Sequence, residues 1–181
     1  MYPFVNDPPH LAPCALWAMQ VFLIGEAEKL LGKRDVSKKI HSPSFHSGPP
    51  CIFNTITCDG AYAVLSENAQ NYWPTAMYEL AHETIHLLDP IAGGAKYLEE
   101  GFAVKFSVEM VSSMTNHPMQ PPLGLYQDAL NMVNQLPGNA YEIGALCRIR
   151  CRSLDCVSAA DLLAINATIT TDLASRLCVR P

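Results

Sequence analysis

The order of apolar and polar positions predicts a mainly helical chain with one small β-region. An apolar stretch over residues 14–31, ended by Gly32, is typical of a core helix. Residues 51–58 alternate and are rich in β-branched side chains, which indicates a strand, and Asp59-Gly60 predicts a hairpin turn before a second strand over 61–66. Further helices are predicted over residues 74–88, 97 to about 115 and 126–136, and another starts at 141. A short helix starts at Ser158 with a capping box, and a separate last helix ends at about 178. We therefore expect an α+β fold, with a small hairpin sheet followed by a helix-rich core, in a single domain over residues 1–181.

The helix predicted over residues 74–88 carries charged and polar groups on a mostly apolar surface. Pro74 suits its first turn, where a missing N–H costs little. Since apolar residues occupy most of its faces, the helix should be buried. It nevertheless contains His82, Glu83 and His86. Burying these groups is costly unless something pairs with them, and a bound metal ion would do so.

These residues form the H-E-x-x-H motif His82-Glu83-Thr84-Ile85-His86. Two His residues four positions apart lie one above the other on one helix face, so both rings can bind one metal ion. Glu83 then reaches the open side of the metal, where a carboxylate can take a proton from an attacking water. The pattern is typical of zinc hydrolases, and we expect Zn²⁺ as the cofactor.

A catalytic zinc ion usually takes three protein ligands, so a third ligand should follow the motif. Asp89, Glu99, Glu100 and His117 are the candidates downstream. Asp89 lies too close to His86 and suits a role as partner of a ligand His or as a hydrogen-bonding group at the helix end. Glu99 and Glu100 open the next helix after a flexible Gly-rich turn, but periodicity alone does not choose between them.

The segment Tyr97-Leu98-Glu99-Glu100-Gly101-Phe102-Ala103 resembles the W-L-N-E-G-F-A segment of gluzincin metallopeptidases of clan MA. The likeness is to the catalytic domain of membrane-alanyl-type aminopeptidases and to small peptidase MA-like domains. It implies that Glu100 is the third zinc ligand. The small residues Gly101 and Ala103 should let this helix approach the metal helix closely.

A second segment, Tyr141-Glu142-Ile143-Gly144, resembles the Y-E-K-G segment of the same aminopeptidases. There the tyrosine hydroxyl supports the oxyanion of the tetrahedral intermediate, so the resemblance assigns Tyr141 that role. Tyr78, Tyr97 and Tyr126 are rival donors.

The resemblance covers roughly residues 74–150 and has two departures. Thirteen residues separate His86 from Glu100, fewer than in the large aminopeptidases. Upstream of the motif, only isolated residues match the G-A-M-E-N segment that recognises a free substrate amine in those enzymes. The likeness therefore implies metal-dependent hydrolysis more strongly than aminopeptidase activity. In gluzincin sites the substrate backbone pairs with an edge strand above the metal, and the strand over 61–66 is our candidate for that edge.

Composition narrows the classes of partner. Hydrophobic residues make up 49% of the chain and charged residues 16%, which is typical of an ordered globular domain. The net charge of −5 does not suggest a nucleic-acid partner. Two basic groups, Lys33/Arg34/Lys38/Lys39 and Arg148/Arg150/Arg152, lack interleaved aromatic residues and are interpreted as solvated faces.

The termini and the cysteines bear on the compartment. The first residues carry no secretory signal, and the apolar stretch over 15–24 is too short to span a bilayer, so we expect a cytoplasmic protein without a membrane span. Seven cysteines without a C-x-x-C pair indicate reduced thiols, with a Cys51–Cys58 disulfide as the alternative.

The sequence thus predicts a zinc-dependent peptide-bond hydrolase that acts on a peptide or protein substrate. Two alternatives remain: a zinc-containing, peptidase-like binding or regulatory module without turnover, and a hydrolase of non-peptide amides. The substrate, the choice between endo- and exopeptidase action, and the oligomeric state stay open at this point.

Overall fold

The computed structural model describes residues 4–91 and 93–181 and has the predicted α+β architecture. Its strands are β1 (Lys39–Ile40), β2 (Ser44–His46), β3 (Cys51–Asn54) and β4 (Gly60–Ser66). Its helices are α1 (Pro13–Leu31), α2 (Trp73–Leu88), α3 (Tyr97–Met114), α4 (Leu125–Val133), α5 (Ala140–Cys151), α6 (Ala159–Ile165) and α7 (Thr171–Leu177). The small sheet therefore precedes most of the helices, as the pattern of apolar positions predicts.

The predicted hairpin is confirmed, but its second strand is not an edge. Ala61 of β4 pairs with Asn54 of β3 on one side and with Ile40 of β1 on the other. Val64 likewise lies between Cys51 and Ser44. Since β4 has neighbours on both sides, the prediction that a substrate pairs with it is wrong. Within the described ranges β3 pairs with β4 alone and forms one edge of the sheet, while the short strands β1 and β2 form the other.

The turn of this hairpin is longer than Asp59-Gly60. The strand ends at Asn54, and the carboxylate of Asp59 accepts hydrogen bonds from the hydroxyls of Thr55 and Thr57 at 2.7 and 2.6 Å. These hydroxyls and the carboxylate close a loop over residues 55–59 that replaces the end of the predicted strand.

Helix α2 occupies the centre of the core, as expected for a helix with so many apolar faces. Every residue in it is buried except Thr75, Tyr78 and His86. The buried carboxylate of Glu79 accepts hydrogen bonds from the backbone N–H and the hydroxyl of Ser66 at the end of β4, at 2.8 and 2.5 Å. This contact fixes α2 against the sheet one turn before the H-E-x-x-H motif.

Two glycines of the motif segments set helix contacts that differ from the expected ones. A Cβ on Gly101 would lie 2.6 Å from the carbonyl oxygen of Ala129 and would also overlap Val133, so this glycine lets α4, rather than α2, approach α3. A Cβ on Gly144 would lie 2.6 Å from a methyl group of Leu31 and 2.8 Å from the ring of Phe102. The bare backbone of α5 therefore receives Phe102.

One member of the second basic group is not on a solvated face. Arg148 is 6% exposed and donates from Nε to the Asp89 carboxylate at 2.7 Å. Its remaining nitrogens donate to the carbonyl oxygens of Leu31, Gly32 and Lys33 at 2.6–2.8 Å. A buried guanidinium thus joins the end of α1 to the end of α2, which corrects the prediction for Arg148.

Several smaller predictions can be checked directly. Ser158 and Asp161 form the predicted capping box at the start of α6. All seven cysteines are free, as the first of the two cysteine interpretations expects. In the part of the chain that the structure describes, no helix combines the length and hydrophobicity that a bilayer crossing requires.

Candidate metal centre

The structure brings His82, His86 and Glu100 together. One ligand atom from each lies within 4.8 Å of the others. The His82 and His86 rings come from successive turns of α2, and their Nε2 atoms are 3.3 Å apart. Glu100 comes from the first turn of α3, which folds back across α2, and its Oε2 lies 3.3 Å from His82 Nε2.

These separations suit a tetrahedral ion with short bonds. Two ligand atoms held about 2.0–2.1 Å from zinc at the tetrahedral angle lie about 3.3–3.4 Å apart. Two edges of the ligand triangle have this length, and His86 Nε2 lies 3.8 Å from Oε1 of Glu100. A donor set of two imidazole nitrogens and one carboxylate is one that zinc accepts.

The hydrogen bonding of the candidate ligand atoms is also compatible with a bound cation. Oε2 of Glu100 is buried and makes no hydrogen bond, although it lies 3.3 Å from His82 Nε2. The short distance therefore does not reflect hydrogen-bond geometry. Because an unpaired buried oxygen is costly, a positive charge beside Oε2 would be favourable.

Glu99 supports the ligand set instead of joining it. Its Oε1 lies 2.8 Å from Nδ1 of His86. A proton on Nδ1, donated to this carboxylate, leaves the lone pair of Nε2 free to bind a metal. Periodicity left Glu99 and Glu100 equivalent. The structure distinguishes the two residues. Adjacent helix positions point about 100° apart, and only the Glu100 carboxylate lies beside both His82 and His86.

The surroundings of the cluster are strongly negative. Burial alone would lower the pKa of His86, but the hydrogen bond to Glu99 and the charges of Glu99, Glu83 and Glu100 outweigh it and raise this pKa to about 10. Three carboxylates around two imidazoles therefore attract a compensating positive charge.

Glu83 lies beside the ligands in the same cavity and is 2% exposed. Burial is the largest influence on its carboxyl and raises its pKa, while the neighbouring His82 and His86 oppose that effect. The position next to the ligands is the one that the motif predicts for a general base.

Tyr126, not Tyr141, is the tyrosine at the cluster. The Tyr141 hydroxyl donates to Glu109 at 2.7 Å, nine residues beyond Glu100 and so about 13.5 Å further along α3. The ring of Tyr126 lies edge-on to His82 with the centroids 5.5 Å apart, and it lines the cavity. The assignment of Tyr141 from the resemblance is therefore corrected, since its side chain packs between α3 and α5.

The hydroxyl of Tyr126 is free to act as a donor. It makes no hydrogen bond to any residue that the structure describes. Burial, with the charges of Glu100 and Glu83, raises its pKa, so the proton stays on the oxygen at neutral pH. Tyr78 and Tyr97, the other rivals, are not among the residues that line the cavity: Tyr78 hydrogen-bonds with Ser107, and Tyr97 packs against the hydrophobic core.

The remaining predicted ligands lie outside the cluster. Asp89 pairs with Arg148 and so takes the helix-end role that its position suggested. His117 is exposed, and its ring contacts Tyr72 at a centroid distance of 5.7 Å.

The cavity around the cluster is small and opens beside β3. It encloses about 190 Å³, and Cys51 and Ile52 of β3 line it together with the ligands. The α2–α3 linker also contributes Ile91, Gly93 and Gly94 to the lining. The free sheet edge predicted for the site therefore exists, but on the first strand of the hairpin. Sequence alternation does not reveal which hairpin strand has a second neighbour, because the pairing of β4 with β1 and β2 is non-local.

No protein-family description, curated protein or solved structure matches this chain. The resemblance to gluzincins therefore rests on the short motifs and on the geometry of the residues they contain.

Proposed function

We propose that this protein is a zinc-dependent hydrolase that cleaves peptide bonds. The observation that carries the proposal is the convergence of His82, His86 and Glu100 within 4.8 Å, with Glu83 in the same cavity. This is the donor set and the base that metal-assisted hydrolysis requires.

His82 Nε2, His86 Nε2 and the Glu100 carboxylate would hold the metal, with Glu99 fixing the His86 ring through Nδ1. Zinc, when bound, supplies the Lewis acidity that makes water nucleophilic at neutral pH and polarises a carbonyl group. The ligand distances agree with zinc, and the negative surroundings favour retention of a divalent cation.

Glu83 takes the proton of the attacking water and passes it to the leaving amine. Its burial beside the ligands holds the carboxylate close to the reacting carbonyl and away from bulk solvent. Tyr126 donates its hydroxyl proton in a hydrogen bond to the oxyanion that develops on the substrate carbonyl, a role that its unpaired hydroxyl at the cavity wall permits.

The edge of β3 supplies a surface for an extended substrate. Since Cys51 and Ile52 line the cavity and β3 pairs only with β4, a peptide can add to this edge with its backbone beside the ligands. Main-chain pairing of this kind favours peptides over small non-peptide amides.

The central test replaces the base and leaves the metal ligands in place. Zinc-loaded Glu83→Gln should bind the metal with the wild-type stoichiometry but should cleave a peptide library about 10²–10⁴-fold more slowly. A chelator should abolish wild-type cleavage, and added zinc should restore it. The matched control, Glu142→Gln, makes the same change at an exposed position of α5 and should keep wild-type activity.

Cleavage by Glu83→Gln at the wild-type rate would refute this mechanism. Zinc binding without any peptide cleavage by the wild-type protein would favour the alternative of a binding module, and turnover of non-peptide amides alone would favour the third interpretation.

A further inference from the structure

A second cleft adjoins the metal cavity. It is lined by Lys38, Asn54, Cys58, Ile91, Arg152 and Cys156, and we refer to it as the flanking cleft. Ile91 also lines the metal cavity, so one residue of the α2–α3 linker forms a wall of both. Asn54, at the end of β3, donates from Nδ2 to the Ile91 carbonyl at 3.3 Å and ties that wall to the sheet edge.

The sizes of the two spaces indicate that a substrate extends beyond the metal cavity. Ligand pockets usually enclose about 300–1,000 Å³, whereas the metal cavity encloses about 190 Å³. The flanking cleft encloses about 410 Å³. A peptide bound at the β3 edge would therefore place only a few atoms in the metal cavity and could place a whole side chain in the flanking cleft.

One cation of the flanking cleft is uncompensated, although the whole chain carries −5. Asp89 is neutralised by Arg148, which donates to it at 2.7 Å. Asp35 stays ionised, because hydrogen bonds from Ser37 and the charges of Lys38 and Arg34 lower its pKa, and its charge offsets that of Lys38. Arg152 has no carboxylate partner among the residues that the structure describes.

Arg152 is the freer of the two cations. The Lys38 ammonium donates to the carbonyl oxygen of Cys58 at 2.5 Å, which holds it at the cleft. The Arg152 guanidinium forms neither an ion pair nor a hydrogen bond within the described ranges and is exposed. A planar guanidinium with all its donors free is suited to bidentate binding of a carboxylate.

The backbone of this cleft is unusual as well. Cys58 and Arg152, with φ of 53° and 73°, are the non-glycine residues with positive φ in the described part of the chain, and both line the flanking cleft. This conformation is costly for residues with a side chain and is concentrated at functional sites. Arg152 ends α5 in this conformation, which turns the chain at the cleft.

We propose that the flanking cleft is a specificity subsite that binds a carboxylate of the substrate through Arg152 and Lys38. This inference rests on the proposed function, because the carboxylate belongs to the peptide that the metal site cleaves. The carboxylate comes either from an acidic side chain a short distance from the scissile bond or from the free C-terminus of a short peptide.

The test uses neutral fluorogenic peptides in which a single Glu replaces Gln at each position in turn, all with amidated C-termini. At one position Glu should raise kcat/KM about tenfold over Gln, the effect of one charge-assisted hydrogen bond. A Gln peptide with a free C-terminus forms the other arm. A gain in that arm alone identifies the terminal carboxylate as the ligand.

Variants distinguish carboxylate binding at the subsite from a general effect of the protein's net charge. Arg152→Gln should bring the Glu/Gln ratio of kcat/KM close to one, Arg152→Lys should retain part of it, and Lys38→Gln should reduce it. Arg176→Gln removes the same charge from exposed α7 and should keep the wild-type ratio. An unchanged ratio in Arg152→Gln, or the absence of a preferred carboxylate at any position, overturns the proposal.

Binding without turnover distinguishes failure of the subsite from failure of the proposed function. Fluorescence anisotropy should show tighter binding of the Glu peptide than of the Gln peptide, and that peptide should protect Cys58 and Cys156 from alkylation while Cys14 reacts normally. Tighter binding and cysteine protection without any cleavage would support the subsite and refute the proposed peptidase activity. Cleavage with equal binding of both peptides refutes the subsite alone.

Discussion

Two buried polar sites lie at the end of α2, within one turn of each other, and they differ in how their atoms are paired. At Asp89 the carboxylate meets the Arg148 guanidinium, whose other nitrogens reach three carbonyl oxygens at the end of α1 and just after it. At His86 the ring lies 2.8 Å from the Glu99 carboxylate and 3.3 Å from His82 Nε2, while Glu100 keeps a buried oxygen without a hydrogen bond.

The contrast distinguishes a structural site from the site that we propose to be functional. A buried charge with every donor satisfied has no capacity left for a ligand, so its role is to join helices. A buried oxygen without a hydrogen-bond donor is costly, and a bound cation would remove that cost. The same distinction applies to the tyrosines, since the Tyr141 hydroxyl is paired with Glu109 whereas that of Tyr126 is unpaired.

The largest expected effect comes from breaking the satisfied site. Arg148→Met leaves the Asp89 carboxylate buried without its partner and should lower the free energy of unfolding by about 3–5 kcal/mol. Urea unfolding should show this loss equally in zinc-free and zinc-loaded protein, because the network does not include the cluster.

Arg150→Met is the matched control for that variant. Arg150 pairs with Asp161 on the surface, with 54% of its side chain exposed, so its loss should lower the free energy of unfolding far less than the loss of Arg148. If the stability lost in Arg148→Met were no larger than in this control, the Arg148 network would not have the structural role given to it.

An intermediate effect should distinguish the two tyrosines. Tyr126→Phe should reduce kcat about 10²–10³-fold with little change in zinc content, because it removes one donor to the developing oxyanion. Tyr141→Phe should leave kcat unchanged and lower only the unfolding free energy, by about 1 kcal/mol for a lost hydrogen bond. Steady-state kinetics on one peptide substrate measures both, and the reverse pattern would return the catalytic role to Tyr141.

The smallest of the three effects concerns Glu99, the one carboxylate at the cluster with a hydrogen-bonded partner. Glu99→Ala should weaken zinc binding about 10–100-fold, since the His86 ring loses the acceptor that orients it. Glu99→Gln, which keeps an acceptor without the charge, should lie between that variant and the wild type. Competition with a chromophoric chelator measures the affinities; equal zinc binding in the Ala variant and the wild type would remove Glu99 from the site.

The sequence anticipated the parts of the site that local spacing controls. His82, Glu83 and His86 share one helix, so a motif of five residues places them, and the Glu-Gly-Phe-Ala segment pointed to Glu100 before geometry could. The predictions for Tyr141 and Arg148 differ from the structure, because the carboxylate that each side chain hydrogen-bonds lies at least 32 residues away in sequence. No local pattern records which distant helix end a side chain will meet.

The sheet shows the same limit. Alternating residues predicted the hairpin, but β-branched runs do not reveal that two short segments before it pair with the far side of β4, which leaves β3 as the hairpin strand with a free edge. The flanking cleft is likewise invisible in the sequence, since it joins Lys38, Ile91 and Arg152 from three separate loops.

The sequence by itself thus determined the α+β class, the buried helix and the chemical identity of the groups at its centre, because helical periodicity and residue type are local properties. Tertiary structure decided which polar side chains converge, which tyrosine lies beside them and which strand edge borders the cavity. Those outcomes depend on packing between α2, α3, α4 and the sheet, where contacts such as that of Gly101 with the Ala129 backbone bring distant residues into one site.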